Sequence, residues 1–346
     1  MPGIGLIGFG RVGRGLTRAL QERGQLSELR LITEANPGGR DEDELVTNLA
    51  YLLAADSAAG PFPLPITVQG TSLVLDSHQV PIIFNKRPDQ LDWAAYGVRL
   101  LVEASGDAAS VKAAAGLAAD GVMKVVITRS EARAQVTLVR GVNLDTYDPG
   151  SHHVISCSTC TANALAPVLL VLDQAFGVER ASLLSVHPAL SGDTLLDGPA
   201  LDFTAGRSGL SVRPVPSEVA NTTVQVLPNL EGRLVSMSLR VPTSLVNALY
   251  VDLLLSRPPA AREQVIGVLE AAASDKLAGV LALERGILGR SRPAVDFAGN
   301  PHSSVLDLNW LALTGALLRV LIWHDNEYAY CQRVADTLEM IGRHLA

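Results

Sequence analysis

Gly3-Ile4-Gly5-Leu6-Ile7-Gly8-Phe9-Gly10-Arg11-Val12-Gly13-Arg14 opens the chain and decides how its first half folds. Residues 3–8 form a short apolar run of strand type, and Gly8, Gly10 and Gly13 follow the spacing G-x-G-x-x-G. The period then changes. Leu16 and Leu20 share one face of a helix expected over 12–23, which Gly24 ends. A glycine turn between strand and helix lets the backbone bend tightly and brings N–H groups up to a pyrophosphate. Residues 29–33 read as a second strand, and Glu34 closes it about 20 residues after the turn. A carboxylate there accepts hydrogen bonds from ribose hydroxyls and repels a 2′-phosphate, which favours NAD over NADP. Asn36 takes that place if the loop aligns differently.

Apolar runs at 82–84, 100–103 and 125–128 extend the strand pattern, with a helix over 108–119 between two of them. Residues 36–43 read as polar loop. Strand alternating with helix implies a doubly wound parallel sheet. After Thr161 the character changes: a strong helix pattern over 162–176 gives way to longer strands at 181–187, 235–241 and 248–255. Long strands with few helices between them imply an α+β second domain with a mostly antiparallel sheet. Residues 188–228 are rich in Gly, Pro, Ser and Asp with little periodicity, a length of loop that is usually functional or an oligomer contact. Residues 327–345 read as a final helix.

The 346 residues carry 28 Lys and Arg against 35 Asp and Glu, and 48% are hydrophobic. That suits two domains with cores of their own and argues against disorder. An acidic chain without a basic tract, and with only 4% aromatics, is not built to bind nucleic acid. No signal peptide is visible at the start, and the longest apolar stretches, such as 164–172, are too short to span a membrane. Three cysteines, Cys157, Cys160 and Cys331, exclude a disulfide scaffold and fit a reducing cytoplasm. A soluble cytoplasmic protein without nucleic-acid or membrane partners is expected.

The second constellation is Ser156-Cys157-Ser158-Thr159-Cys160-Thr161-Ala162-Asn163. Cys160 stands at the start of the predicted helix, where the macrodipole favours a thiolate. Proton uptake by a neighbouring His would lower its pKa further, and His187 ends a strand at a spacing that can return it there. Cys157 and Cys160 form a C-x-x-C pair. No second Cys or His pair at ligand spacing lies nearby, so no metal is expected. Cys157 reads either as a buried small residue or as a redox partner of Cys160.

Cys160-Thr-Ala-Asn163-Ala-Leu-Ala-Pro167 resembles the S-C-T-T-N-C-L-A-P signature of glyceraldehyde-3-phosphate dehydrogenases. Further likenesses follow in order along the chain: Gly8 to Arg14 to G-F-G-R-I-G-R, then Val186-His187, Asp197-Gly-Pro199, Arg240-Val-Pro-Thr243 and His302-Ser-Ser304. Trp323-His-Asp-Asn-Glu327 resembles W-Y-D-N-E. The resemblance implies a Rossmann domain over 1–158, completed by the C-terminal helix 327–346, and a catalytic and oligomerisation domain over 159–326. It implies Cys160 as nucleophile, His187 as base, Asn326 on the nicotinamide carboxamide and Arg240 on a substrate phosphate. Arg11 and Val12 would face the pyrophosphate, and Ser105 and Thr128 would line the cofactor groove. It further implies NAD, a small phosphorylated aldehyde, a place in glycolysis, and a homotetramer in which the loop 188–214 reaches a neighbouring subunit's cofactor.

The departures from the family concern phosphate. Leu190 and Gly192 stand where two threonines are usual, and Val215-Pro-Ser217-Glu218 replaces A-S-T-G. Ser217 keeps a hydroxyl, and Thr159 and Thr161 still flank the nucleophile. Glu218 directed inward would repel an anion by roughly 3 kcal/mol per unit charge at about 5 Å; directed to solvent it would not. Pro214 to Ala220 also resembles a segment of erythrose-4-phosphate dehydrogenases, which release the acyl group to water. A cofactor-binding regulatory or scaffolding homologue with little catalysis is the reading from another class.

Overall fold

In a computed structural model describing residues 1–118, 124–200, 202–207 and 209–345, the chain forms two compact units. The first holds Met1–Leu138, Asp145–Ser158 and the residues from Cys331 onward; the second holds Val139–Leu144 and Thr159–Tyr330.

The first unit begins with β1 (Gly3–Ile7), wholly buried, and α1 (Arg11–Glu22). β2 (Leu29–Glu34) follows, then α2 (Glu42–Ala54). The sequence reading missed α2. Its first turn, Glu42-Asp43-Glu44, has the charge a helix N-terminus favours, and Asp41 caps it by accepting from the Glu44 N–H at 3.0 Å. Two short strands, β3 (Ala55–Asp56) and β4 (Gly60–Pro61), pair with each other. The meander β5 (Ile66–Gln69), β6 (Ser72–Leu75) and β7 (His78–Phe84) then returns to the sheet beside β2. β8 (Val98–Glu103), α3 (Ala108–Leu117), β9 (Lys124–Ile127), β10 (Val136–Thr137) and β11 (Val154–Ser156) complete it. The expected helix over 108–119 thus ends at Leu117, and position 119 lies outside the described residues. The sheet order is β10-β11-β9-β8-β1-β2-β7-β6-β5, parallel except for the β7-β6-β5 edge. Strand order reverses between β1 and β8, the switch point at whose carboxyl ends such sheets bind ligands.

The second unit is organised around α4 (Cys160–Phe176), which is buried along most of its length. Its neighbours are β12 (Val178–Pro188), β13 (Arg213–Val215), α5 (Val219–Val224), β14 (Leu234–Val241) and β15 (Asn247–Leu255). α6 (Arg262–Ser274), β16 (Leu281–Glu284), β17 (Ser304–Asp307), β18 (Ala312–Thr314) and β19 (Leu317–His324) follow. The sheet runs β13-β14-β12-β15-β19-β17-β16, with β18 on β19. The β12–β14 and β16–β17 pairs are parallel and the rest antiparallel. Leu165, Leu169 and Leu172 of α4 pack with Leu183, Leu249, Val251 and Ile322 in the core of this unit. Each such buried side chain is worth about 1.5–3 kcal/mol. The stretch 188–228, expected to be irregular, contributes β13 and α5. The last helix, α7 (Tyr328–Leu345), begins in the second unit and runs into the first.

Candidate active site

In the first unit, the predicted glycines sit at the carboxyl ends of β1 and β8. Gly8 has φ 87°, and a Cβ there would stand 2.6 Å from the Ser105 backbone. A Cβ on Gly13 would meet the Gly8 carbonyl at 2.2 Å, whereas one on Gly10 would meet nothing within 4 Å. The first and third glycines therefore allow close packing, and the second leaves an open side to the turn. Arg11 and Val12 are the first residues of α1. Glu34, at the end of β2, accepts from the Phe9 N–H and from the Ala35 N–H at 2.8 Å. Gly8, Thr33, Glu34, Asn85, Ser105 and Ser110 line a cavity of about 230 Å³. Asn36 does not: its side-chain amide closes its own loop, bonding the Arg40 N–H and carbonyl at 2.9 and 2.8 Å. Thr128 turns its hydroxyl onto the Glu103 carbonyl at 3.0 Å. Beneath this rim the buried Glu103 carboxylate accepts from the Ser105 hydroxyl and from the Ser105 N–H at 3.1 Å, and burial raises its pKa. A turn open at Gly10, a helix N-terminus and a carboxylate at the cavity wall fit an adenine dinucleotide.

In the second unit, Cys160 is the first residue of α4. Thr159 caps the helix, its hydroxyl accepting from the Ala162 N–H at 3.2 Å, and lies 3.5 Å from the Thr222 hydroxyl. The Cys160 sulfur is 3.7 Å from the Thr161 hydroxyl. Burial pushes the Cys160 thiol above its ordinary pKa; the Thr161 hydroxyl and N–H, and the charge of Arg240, act against this without overcoming it. The expected depression of the thiol pKa is thereby corrected. Desolvation outweighs the helix terminus in the protein alone.

The register of the sheet brings the other groups together. His187 pairs with Arg240 across β12 and β14. The β12–β15 ladder runs to Val186 opposite Ala248, which sets His187 level with Asn247, and Asn247 pairs with His324. Level residues on neighbouring strands point to one face, so Arg240, His187, Asn247 and His324 form a row. His187 Nδ1 lies 2.8 Å from the Pro188 carbonyl, which assigns the proton to Nδ1 and leaves Nε2 as the basic nitrogen. Asn247, fully buried, donates to the Thr161 hydroxyl at 3.3 Å and accepts from the Ser185 hydroxyl at 3.1 Å. It ties the base strand to the nucleophile helix. His324 is buried and neutral, its pKa pushed down to about 3 by desolvation and then by His187. Asp325 accepts from the Gly299, Glu327 and Tyr328 N–H groups at 2.8 to 2.9 Å and so fixes the turn carrying Asn326. Asn326 is buried, and its Oδ1 accepts no hydrogen bond from the described residues. That orphaned acceptor suits an amide N–H₂.

The phosphate departures resolve in part. Glu218 is exposed to solvent, and its carboxylate accepts from Asn221 of α5 at 3.3 Å. The Ser217 hydroxyl accepts from the Val219 N–H at 3.4 Å, at the start of α5. Cys157 is buried, with its pKa pushed up to about 12 by desolvation. Sequence reasoning did not single out Asn247, His324 or Asp325 as site residues. His324 and Asp325 carried a signal, since both lie inside the W-Y-D-N-E-like motif; Asn247 carried none. Among the described residues, no group of three or more His, Cys, Asp or Glu is placed to hold a metal ion, and no helix is long and apolar enough to cross a membrane.

Comparison with known proteins agrees with this geometry. Residues 3–111 match the family model "Glyceraldehyde 3-phosphate dehydrogenase, NAD binding domain", and residues 159–326 match "Glyceraldehyde 3-phosphate dehydrogenase, C-terminal domain". The chain is 36% identical over 343 residues to the glyceraldehyde-3-phosphate dehydrogenase of Kitasatospora aureofaciens, covering 99% of each. It is 34% identical to that of Geobacillus stearothermophilus over 98% of each chain. A testis-specific glyceraldehyde-3-phosphate dehydrogenase of Rattus norvegicus is 31% identical over 97% of this chain and 75% of its own.

Proposed function

The chain belongs to the glyceraldehyde-3-phosphate dehydrogenase family, and from that premise we propose that it oxidises a small phosphorylated hydroxyaldehyde through a thioester on Cys160. It is an NAD-dependent dehydrogenase with a Rossmann unit and an α+β catalytic unit. The observation that carries the proposal is the row of Arg240, His187 and Asn247 on one sheet face, tied to the Cys160-Thr161 helix start by the Asn247–Thr161 hydrogen bond.

Arg240 holds the substrate phosphate, and Thr159, Thr161 and Ser217 supply hydroxyls for phosphate binding. As the Cys160 sulfur attacks the aldehyde carbon, the thiol proton passes to His187 Nε2, whose ring is fixed by its Nδ1–H bond to Pro188. N–H groups at the start of α4 stabilise the oxyanion. His187 then returns that proton to the oxyanion, giving the neutral hemithioacetal, and takes it back as the thioester forms. NAD, when bound, supplies the hydride acceptor; Gly8, Gly10, Arg11, Val12, Gly13, Glu34, Ser105 and Thr128 would hold its adenosine and pyrophosphate, and Asn326 its carboxamide. We place the enzyme in the cytoplasm and in glycolysis, as a homotetramer.

Initial rates with glyceraldehyde 3-phosphate and erythrose 4-phosphate, each with and without phosphate or arsenate, test this reading. Turnover of the triose phosphate that depends on phosphate or arsenate is expected. Phosphate-independent oxidation of the tetrose would place the enzyme with those that release the acyl group to water. No turnover of either would leave a cofactor-binding homologue.

A further inference from the structure

β13 is a three-residue strand on the edge of the catalytic sheet, and its Arg213 pairs with Arg240 of β14. The two guanidinium groups thus stem from level positions on one face. Arg213 is largely buried, its side chain 12% exposed. It binds Asp193 at 2.6 Å, Asp202 at 2.7 Å and the Thr204 hydroxyl at 3.0 Å. The Asp193 side chain is only 4% exposed, whereas that of Asp202 is 51% exposed. The second oxygen of Asp193 accepts from the Leu190 N–H at 2.8 Å, three residues after His187. A buried carboxylate therefore lies in the turn where threonine hydroxyls were expected.

We propose that Arg213 is a positioning residue for substrate phosphate, balancing Asp193 so that the face carrying Arg240 keeps a net positive charge. Water screens the half-exposed Asp202 more than the buried Asp193, so the least-screened charges beside Arg240 are the Arg213 guanidinium and the Asp193 carboxylate. Removing Arg213 alone leaves Arg240 and Asp193, a pair without net charge. Removing both Arg213 and Asp193 restores a single positive charge. This proposal rests on the reading of Arg240 as the phosphate ligand.

The test compares glyceraldehyde 3-phosphate with unphosphorylated glyceraldehyde on the NAD-loaded enzyme. Arg213→Gln should raise KM for the phosphorylated substrate about tenfold or more, with kcat for either substrate within about threefold. Arg213→Lys, which keeps the charge, should stay within about threefold of the native KM, and Arg213→Gln/Asp193→Asn should return near it. A purely structural clasp predicts the reverse for the double variant, because both halves of the pair are then lost. If Arg213→Gln does not fold, Asp193→Asn alone decides: a KM at or below the native value supports the proposal, and a raised one overturns it. Failure of the double variant to recover, while Arg240→Gln selectively impairs the phosphorylated substrate, overturns the proposal alone. An Arg240→Gln enzyme that treats both substrates as before overturns the site reading and the proposal with it.

Discussion

Replacing Asn247 by Leu removes the bridge between β12 and α4 while keeping the branched heavy-atom skeleton of the side chain. Two buried hydroxyls then lose their Asn247 partner: Ser185, 2% exposed, and Thr161, 5% exposed, which keeps among the described residues only the weak contact to the Cys160 sulfur at 3.7 Å. A buried donor or acceptor left unsatisfied costs about 1–3 kcal/mol, so the single variant should lose about 3 kcal/mol of stability. Removing a hydroxyl along with the amide should be less harmful than removing the amide alone. Ser185→Ala/Asn247→Leu should therefore recover at least about 1 kcal/mol. Urea unfolding at one fixed protein concentration, followed by tryptophan fluorescence and circular dichroism, measures both, with the m-value as the check that the unfolded reference is unchanged. Because Asn247 also holds the Thr161 hydroxyl beside Cys160, kcat should fall about tenfold in the single variant. A stability loss below about 1 kcal/mol, or a cycle in which the two substitutions simply add, would refute the bridge.

Cys160→Ser should abolish dehydrogenase activity and leave NAD affinity near native; retention of more than a few per cent of turnover would remove Cys160 from the role of nucleophile. Alkylation of Cys160 by iodoacetamide in the protein without NAD should keep accelerating as pH rises past the ordinary thiol range, because burial raises the pKa; a plateau near pH 6 would contradict the desolvated site. Glu34→Ala should narrow the preference for NAD over NADP, mainly through the cofactor KM, and an unchanged ratio would place the ribose contact elsewhere. Cys157, with a pKa raised from 9.0 to about 12, contributes stability that is complete below pH 9 and is lost as pH climbs toward 12. Cys157→Ala should flatten that alkaline slope in a denaturation series, and peroxide should leave Cys157 as a thiol by mass analysis; an intramolecular disulfide would show that burial does not protect it.

Much of the fold was legible because its signals are local. The glycine turn, the period change after it and Glu34 lie within one stretch of chain, and the structure puts them at the switch point of a parallel sheet. α2 escaped because the polar run 36–43 reads as loop and hides its start; its buried face, Val46, Leu49, Ala50 and Leu53, begins only after the acidic first turn. Asn247 escaped for a different reason. An Asn at the start of a strand looks like turn chemistry, and its burial follows from the register of β12, β15 and β19, which are far apart in sequence. The helix start at Cys160 was visible, but desolvation of its thiol was not, since that depends on what packs over it. The direction of Glu218 was likewise undecidable until α5 turned it toward Asn221.

The first unit is drawn from both ends of the chain, and this bears on the order in which the protein can form. α1, the helix opened by the glycine turn, lies against residues from Cys331 onward: a Cβ on Gly15 would stand 2.7 Å from the Cys331 sulfur, and Arg23 pairs with Asp336 at 2.9 Å and Glu339 at 3.0 Å. During synthesis, every residue of the catalytic unit leaves the ribosome before those partners do. Chains usually complete their N-terminal parts first. Here the unit that starts first is finished last, and until then α1 has one side open, so a nascent or C-terminally clipped chain should hold a formed catalytic core while its dinucleotide turn rests on an unsupported helix.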